Sequence, residues 1–410
     1  MNHPFSRLEK TAAESATPLK RLVLVGMGHT HVDFVSRWAN RSRSDRAIEA
    51  TLTCINAFDI ATYSGALPTA LADDAAADGW RIDLAKLCEN ADAKLITSSV
   101  DGISAEQNEV SLKDGRKIPF DLLSIGVGSV PVPPPVTAGS VDGESIPAIT
   151  IKPMQTFIRR FDGALRAIVA KQKPNVESPI RIVVVGGGAA GIEIALAVQT
   201  RLRRRRPNHT FTVELATASA HIGDGLSKAA SGRIERILRR RCVEIHTDTL
   251  VQSIEPAGLV DASGRLHRCD AVIWATGASP PSLLRRTDLA LDDRGFIATR
   301  PTLQTVSHDH IFAVGDCATM IDRPHPKAGV YAVRQSPILW HNLAASFRGE
   351  RLIEFEPQAN FLKLINTADG SAVIDYHGFA VHARWVHWLK RWIDRRFVAQ
   401  FLLVADAAKS

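Results

Sequence analysis

The sequence has no closely spaced cysteines; its five, Cys54, Cys88, Cys242, Cys269 and Cys317, are scattered along the chain. That distribution argues against a disulfide framework, a zinc site and a CxxC redox centre, so no metal is expected, and it fits a reducing cytoplasm. No apolar run reaches the about 18 residues that would mark a membrane-spanning helix. Residues 1–20 are polar and alanine-rich, without the apolar core of a secretory signal, and read as a disordered segment. Excess charge is also scarce, +7 over 410 residues. One basic cluster, Arg201–Arg206, reads as a solvated helix C-terminus favoured by the macrodipole. A second lies in the last thirty residues. Neither has the combined interleaved-aromatic and groove signature of a nucleic-acid module. The length suggests two or three domains.

What is present starts at Leu22–Val32. A short apolar run enters the turn Gly26-Met27-Gly28, and a helical pattern of Val32, Val35 and Trp38 leaves it. This is the strand–turn–helix opening of a dinucleotide-binding βαβ unit, with a pyrophosphate held at the helix N-terminus. The third glycine of that pattern is missing and His31 stands in its place, so by itself the stretch also reads as a tight structural turn. Ala50–Asn56 alternates as a second strand. Its last residue, where an acid would grip the adenosine ribose, is Asn56. Strands follow at Lys94–Val100, near Val110–Leu112 and at Phe120–Val127, and the prolines at Pro131–Pro135 read as a linker.

Beyond the linker the pattern repeats. Ile180–Val185 leads into Gly186-Gly-Gly188-Ala-Ala-Gly191-Ile-Glu193 with all three glycines, then a helix to about Leu202. Strands follow at Phe211–Leu215, Val243–His246, Leu250–Ile254 and Asp270–Ala275. Asp270–Pro280 aligns with Asp121–Pro131, so Gly277 coincides with Gly128 and Pro280 with Pro131. Two copies of one supersecondary unit imply two nucleotide-binding domains built alike.

The Gly-x-Gly turn, the complete GxGxxGxE, Ala275-Thr-Gly-Ala-Ser-Pro280 and Gly315-Asp316, in that order, resemble the two-dinucleotide flavoproteins of the pyridine nucleotide-disulfide reductase superfamily, over about residues 21–350. The resemblance implies an α/β fold with two Rossmann-like domains, the NAD(P)-binding one inserted in the FAD-binding one. The expected boundaries are 21–135 with 282–350 for FAD, 150–281 for NAD(P)H, and a C-terminal α+β region at 351–410. It places FAD on Gly26, Gly28, His29, His31, Asn56, Val100, Gly128, Gly315, Asp316 and Gly329, with Asp316 on the ribityl hydroxyls. It places NAD(P)H on Gly186, Gly188, Gly191, Thr217 and Gly277. The helix opening at Gly329 points its N-terminus at the flavin ring. There it would stabilise charge on the reduced flavin. Lys327, which also reads as a surface lysine, is assigned to the same place.

The disulfide-reductase branch needs a CxxxxC pair that is absent, and Cys317 has no partner at the spacing of sulfide:quinone reductases. The chain is most similar to type II NADH dehydrogenases, and more closely to their relatives attached to, or encoded with, selenide, water dikinase. That closer likeness rests on Gly28–Val32, Tyr63–Pro68, Lys152-Pro153, Pro326–Gln335, the stretch from Phe361 to Asp369, and Trp392–Phe397. It implies two-electron transfer from NAD(P)H through FAD to a quinone or similar acceptor. Glu193 would stand near the nicotinamide, though it also reads as a carboxylate favoured by the helix dipole. Gln335 matches one of two expected glutamines of the quinone pocket; Val330 stands at the other. No acid follows the second strand at Thr217, so NADH and NADPH are not distinguished. A low-turnover redox sensor or selenium-pathway accessory is the alternative.

Arg384–Leu403 reads as one helix, with Trp385, Val386, Trp388, Leu389, Trp392, Ile393, Phe397 and Phe401 on one broad arc at about 100° per residue. Arg384, His387, Lys390, Arg391 and Arg395 occupy the other side. Such a helix suits the headgroup region of a membrane, and equally a surface packed on the protein or on a second copy in a homodimer. The expected location is cytoplasmic, with peripheral attachment through this helix.

Overall fold

The computed structural model describes residues 19–41, 50–74, 80–134, 146–171, 179–206 and 209–406. The expected disordered segment at 1–20 falls almost wholly outside these, as does the end of the expected linker.

The chain opens with β1 (Lys20–Val25), α1 (His29–Ala39) and β2 (Ala50–Asn56). A small hairpin of β3 (Ile60–Thr62) and β4 (Arg81–Asp83) encloses α2 (Leu67–Ala72). Then come α3 (Leu84–Asn90), β5 (Lys94–Thr97), an antiparallel meander of β6 (Val100–Ser104), β7 (Glu109–Leu112) and β8 (Lys117–Pro119), and β9 (Leu122–Ile125). The second unit runs through β10 (Ala148–Thr150), α4 (Met154–Lys171), β11 (Ile180–Val185), α5 (Ala189–Arg205), β12 (Phe211–Ala216), α6 (Lys228–Arg240) and β13 (Val243–His246). Its own meander is β14 (Val251–Glu255), β15 (Gly258–Asp261) and β16 (Leu266–Arg268), and β17 (Ala271–Trp274) closes it. The chain then forms β18 (Ile297–Thr299), β19 (Ile311–Ala313), β20 (Ala318–Met320) and α7 (Gly329–Arg348). It ends with a three-stranded sheet, β21 (Lys363–Asn366), β22 (Ala372–Tyr376) and β23 (Phe379–Ala383), and α8 (Arg384–Asp406).

Two five-stranded parallel sheets result, ordered β19-β9-β1-β2-β5 and β10-β17-β11-β12-β13. The second repeats the first strand for strand, which is the α/β architecture of paired Rossmann-like units. Apolar side chains alternate to both faces, as parallel strands require. In the first unit Leu22, Leu24, Leu52 and Cys54 pack under α1 and α7, while Val23, Val25, Ile55 and Ile125 face the meander. In the second, Ile182, Val184, Val213 and Leu215 pack against the helices, and Val183, Val185, Val272 and Trp274 lie under β14–β16. The terminal region touches both units: Ile365 and Val373 join the second core, and Val398 and Phe401 join the first.

Two expectations about charge and the terminal helix change. Arg201 is not a solvated end of α5: it is 2% exposed and clasps Asp162 of α4 at 2.6 Å and Asp74 beyond α2 at 2.9 Å. The buried stripe of α8 is Val386, Lys390, Asp394, Val398 and Phe401, whereas Trp385, Trp388 and Trp392 are 55%, 68% and 59% exposed. Lys390 can lie inside because Asp394, one turn on, neutralises it at 3.1 Å. With that stripe inward, the tryptophans project away. No helix among the described residues is long and apolar enough to cross a membrane.

Candidate active site

The first glycine turn is built as the sequence suggests, with one change. Gly26 has φ of 84°, and a Cβ there would lie 2.6 Å from the Gly126 carbonyl oxygen at the end of β9. No side chain without strain fits both conditions. Gly28 caps α1 and brings no side-chain cap, so the N–H groups of the first turn keep their positive field for an anion. His31, expected at the cofactor, also pins the turn. It is fully buried, with Nδ1 2.5 Å from the Gly26 carbonyl oxygen and Nε2 2.8 Å from the Ser124 hydroxyl. Since the carbonyl only accepts, Nδ1 carries the proton and Ser124 donates to Nε2. Burial pushes its pKa down to about 4, so the ring is neutral.

Asn56 also works on the turn itself. Its Oδ1 accepts from the Met27 N–H at 3.0 Å and its Nδ2 donates to the Phe58 carbonyl at 2.8 Å. A carboxylate could make the first bond and not the second, which explains an amide here.

Beside this turn lies a cavity of about 450 Å³. All ten residues expected at FAD line it: Gly26, Gly28, His29, His31, Asn56, Val100, Gly128, Gly315, Asp316 and Gly329. Tyr63, Ser129, Lys152 and Phe397 are also in the wall, and no cysteine is. Lys152 donates to Ser129 Oγ at 2.9 Å, and Ser129 donates to Asp316 Oδ2 at 3.0 Å. Asp316 Oδ1 makes no hydrogen bond among the described residues. The turn carrying Asp316 is held by Gln335, whose Oε1 accepts the Gly315 N–H at 2.7 Å. Gln335, expected at a quinone pocket, is buried, positions this turn and does not line this cavity.

These residues fit a dinucleotide with a polyhydroxyl linker. The fit rests on the uncapped N-termini of α1 and α7 and the free oxygen of Asp316. It also rests on the buried Nε2 of His29, which has no hydrogen-bond partner. The His29 ring stands against Tyr63 and Phe397, with centroids 5.3 and 5.7 Å away. Burial holds it neutral, with a pKa near 4.

The second turn differs at one position. A Cβ at Gly186 would lie 2.3 Å from the Ala275 carbonyl oxygen, and one at Gly191 would lie 1.8 Å from the Gly186 carbonyl oxygen. His31 occupies the place equivalent to Gly191 and folds its ring back onto the carbonyl that Gly191 must avoid. Gly188 has open space above it and caps α5 without a side chain. Thr217 stands where Asn56 does in the first unit, since Ile55 pairs Val25 and Ala216 pairs Val185. Its hydroxyl lies under Gly187, 2.6 Å from where a Cβ would be. Gly277 follows β17 at the surface.

Neither of the other two residues expected to act chemically lines the cavity. The Lys327 ammonium donates to the Ala318 carbonyl and to Thr319 Oγ1, lies 4.3 Å over the Phe296 ring, and does not line the cavity. It anchors the approach to α7. Glu193 Oε1 accepts the Asn366 N–H at 2.7 Å, joining α5 to β21. Burial, with a smaller push from Asp394, raises its pKa to about 7 against the pull of Lys390.

Around Glu193 the fold assembles a polar group that no sequence spacing indicated. Tyr63 donates to Asp394 Oδ1 at 3.0 Å, and Lys390 donates to the Gly65 carbonyl at 2.9 Å and to Asp394. Tyr63 and Lys152 both sit in motifs visible in the sequence, so their presence at the cavity was within reach. None of the cysteines lines it. The Cys317 thiol is buried and donates to backbone carbonyls, and Cys54 and Cys88 meet inside the first core.

A family model described as pyridine nucleotide-disulphide oxidoreductase matches residues 20–342. The NADH dehydrogenase-like protein MT1860 of Mycobacterium tuberculosis is 26% identical over 245 residues, 58% of each chain. The type II NADH:quinone oxidoreductase of Haemophilus influenzae is 26% identical over 159 residues, 37% of this chain and 36% of that one. The matches thus span little more than half the length of these curated relatives, or less. The structure of NDH2 from Plasmodium falciparum in complex with NADH superposes with a TM-score of 0.77 at 12% identity, covering 96% of this chain and 98% of that one, a likeness of fold.

Proposed function

The chain belongs to the pyridine nucleotide-disulphide oxidoreductase family, and on that premise we propose that it carries electrons from NADH or NADPH to a quinone-like acceptor without redox cysteines. The observation that carries this reading is the cavity at Gly26–Gly28, whose wall combines two uncapped helix N-termini, Asp316 and Lys152, and contains no thiol. FAD, the cofactor of the first unit, supplies two-electron hydride chemistry when bound. The chain's own task is placement. The N–H groups opening α1 receive the pyrophosphate, and Asp316 Oδ1 accepts from a ribityl hydroxyl. Lys152 and the N-terminus of α7 favour negative charge beside Gly329. Gly188 and the start of α5 receive the pyrophosphate of the nicotinamide nucleotide. His29, Tyr63 and Phe397 close the wall with aromatic surface and keep water from it.

The acceptor is inferred from α8. Phe397 on its inner side lines the cavity, while Trp385, Trp388 and Trp392 on its outer side stand in solvent beside Arg391, Arg395 and Arg396. Aromatic and basic residues in one stripe suit the headgroup layer, so the helix would bring the cavity to a membrane surface where quinones reside. The likeness to flavoproteins encoded with selenide, water dikinase supports a second reading, a low-turnover accessory of selenium metabolism. The absence of an acid at Thr217 accords with weak nucleotide binding and favours it.

One experiment separates them. Purified holoprotein is mixed anaerobically with NADH or NADPH while the flavin absorbance is followed, and a soluble quinone is then added. Bleaching followed by quinone-driven recovery is expected. An absorbance unchanged at millimolar nucleotide overturns the dehydrogenase reading.

A further inference from the structure

We propose that the second unit holds a divalent transition-metal cation on Glu214, Glu244 and His246, on the face of its sheet opposite the helices.

The strand pairing gathers the ligand side chains on one face. Glu214 of β12 and Glu244 of β13 are register partners, and Ala216 and His246 form the next pair on the same face. Val213, Leu215 and Val243 on the other face fill the helical core. Two carboxylates directly opposite one another destabilise a sheet unless a positive charge joins them. The Glu214 side chain is only 8% exposed, and its partner is His246 Nε2 at 2.9 Å. Glu244 makes no hydrogen bond or ion pair among the described residues. One ligand atom from each of the three lies within 4.8 Å of the others. A first-row cation binds such atoms at about 2.0–2.2 Å, and the exposed Glu244 has the freedom to close the remaining gap.

The ligand set fixes the class. One imidazole with two carboxylates suits zinc, manganese, iron or cobalt better than calcium or magnesium. Cys269 lies close by, but its sulfur does not join the three ligand atoms that all lie within 4.8 Å of one another. His267, bonded to Asp261 at 2.8 Å, packs its ring 5.6 Å from that of His246 and shields one side. Arg265 is the competing cation, near enough to oppose charge on His246. A bound ion would join the edge strand β13 to β12 just before Thr217, whose N–H donates to the His246 carbonyl at 2.9 Å.

The test uses the full chain after treatment with a chelator. Calorimetric titration with zinc and manganese should give one equivalent bound, and cobalt should develop visible ligand-field absorption. His246→Gln and Glu244→Gln should each weaken binding by more than the roughly 10–100-fold that loss of an outer-shell partner costs, and abolish the cobalt signal. Arg265→Ala should tighten it. Glu244 is exposed, so that variant keeps the fold, checked by circular dichroism. No stoichiometric binding, or binding unaffected by His246→Gln and Glu244→Gln, overturns the proposal.

Discussion

The Tyr63 hydroxyl donates to Asp394 at 3.0 Å across 331 residues of chain, tying the cavity wall to the terminal helix. Asp394 in turn holds the buried Lys390. Asp394→Ala therefore strands an ammonium in the interior and should cost about 3–5 kcal/mol, measured by denaturant unfolding. Lys390→Met combined with Asp394→Leu should recover most of that loss. If the double variant is as unstable as the single one, the pair is not what matters.

Arg201 should behave similarly for the joint between the two units. Arg201→Leu leaves the largely buried Asp162 with only the longer 3.4 Å contact to Arg205 and should cost about 3 kcal/mol. Arg205, half exposed and sharing the same acids, should cost about 1 kcal/mol or less when changed to Leu. Equal losses would contradict the burial argument.

His31→Gly restores the usual third glycine, yet it should weaken the protein. The Gly26 carbonyl and Ser124 hydroxyl would lose a buried partner, at about 1–3 kcal/mol for the unsatisfied groups. Thermal unfolding and retained flavin per chain would both fall. A gain in either would mean that His31 is only a tolerated replacement.

Glu193 gives a pH signature. Its pKa is raised from 4.5 to about 7, so the folded state binds the extra proton within that window. Stability from this group is complete below pH 4.5 and is lost as pH rises towards 7. Glu193→Gln should flatten that part of the stability profile and stabilise the chain relative to the parent at pH 8. A parallel offset at every pH would remove Glu193 as the cause.

The exposed tryptophans separate membrane binding from folding. Trp385→Ala, Trp388→Ala and Trp392→Ala together should leave the unfolding midpoint nearly unchanged, because surface changes usually stay within about 0.5 kcal/mol each. They should abolish flotation with anionic vesicles. Equal flotation of parent and variant would count against attachment through this helix. Deleting α8 would be a poorer probe, since Val386, Val398 and Phe401 are part of the folded interior.

Much of this architecture was legible from local chemistry. The strand–glycine–helix spacings at Gly26 and Gly186 report backbone geometry set by neighbours in sequence, so both turns stand where expected. Asn56 and Thr217 were placed by the same register logic. What escaped was decided by distant partners. Lys390 read as solvated because its neutralising Asp394 only matters once the helix has a buried side. Lys327 pointed to the cavity by position, yet Ala318 and Thr319 lay closer. Gln335 acts through Gly315, a relation visible only once α7 is docked. The tryptophans of α8 obeyed their helical spacing, and the choice of which arc faces inward belonged to Val386 and Val398.

The two sheets differ in where their outermost strand comes from. In the second unit it is β10, made before the rest; in the first it is β19, reached only at Ile311–Ala313. During synthesis the first sheet therefore waits, with the free side of β9 uncovered, until every strand of the second sheet has been made. The unit begun later is finished earlier, and for that interval the exposed strand edge is where the nascent chain is most open to mispairing.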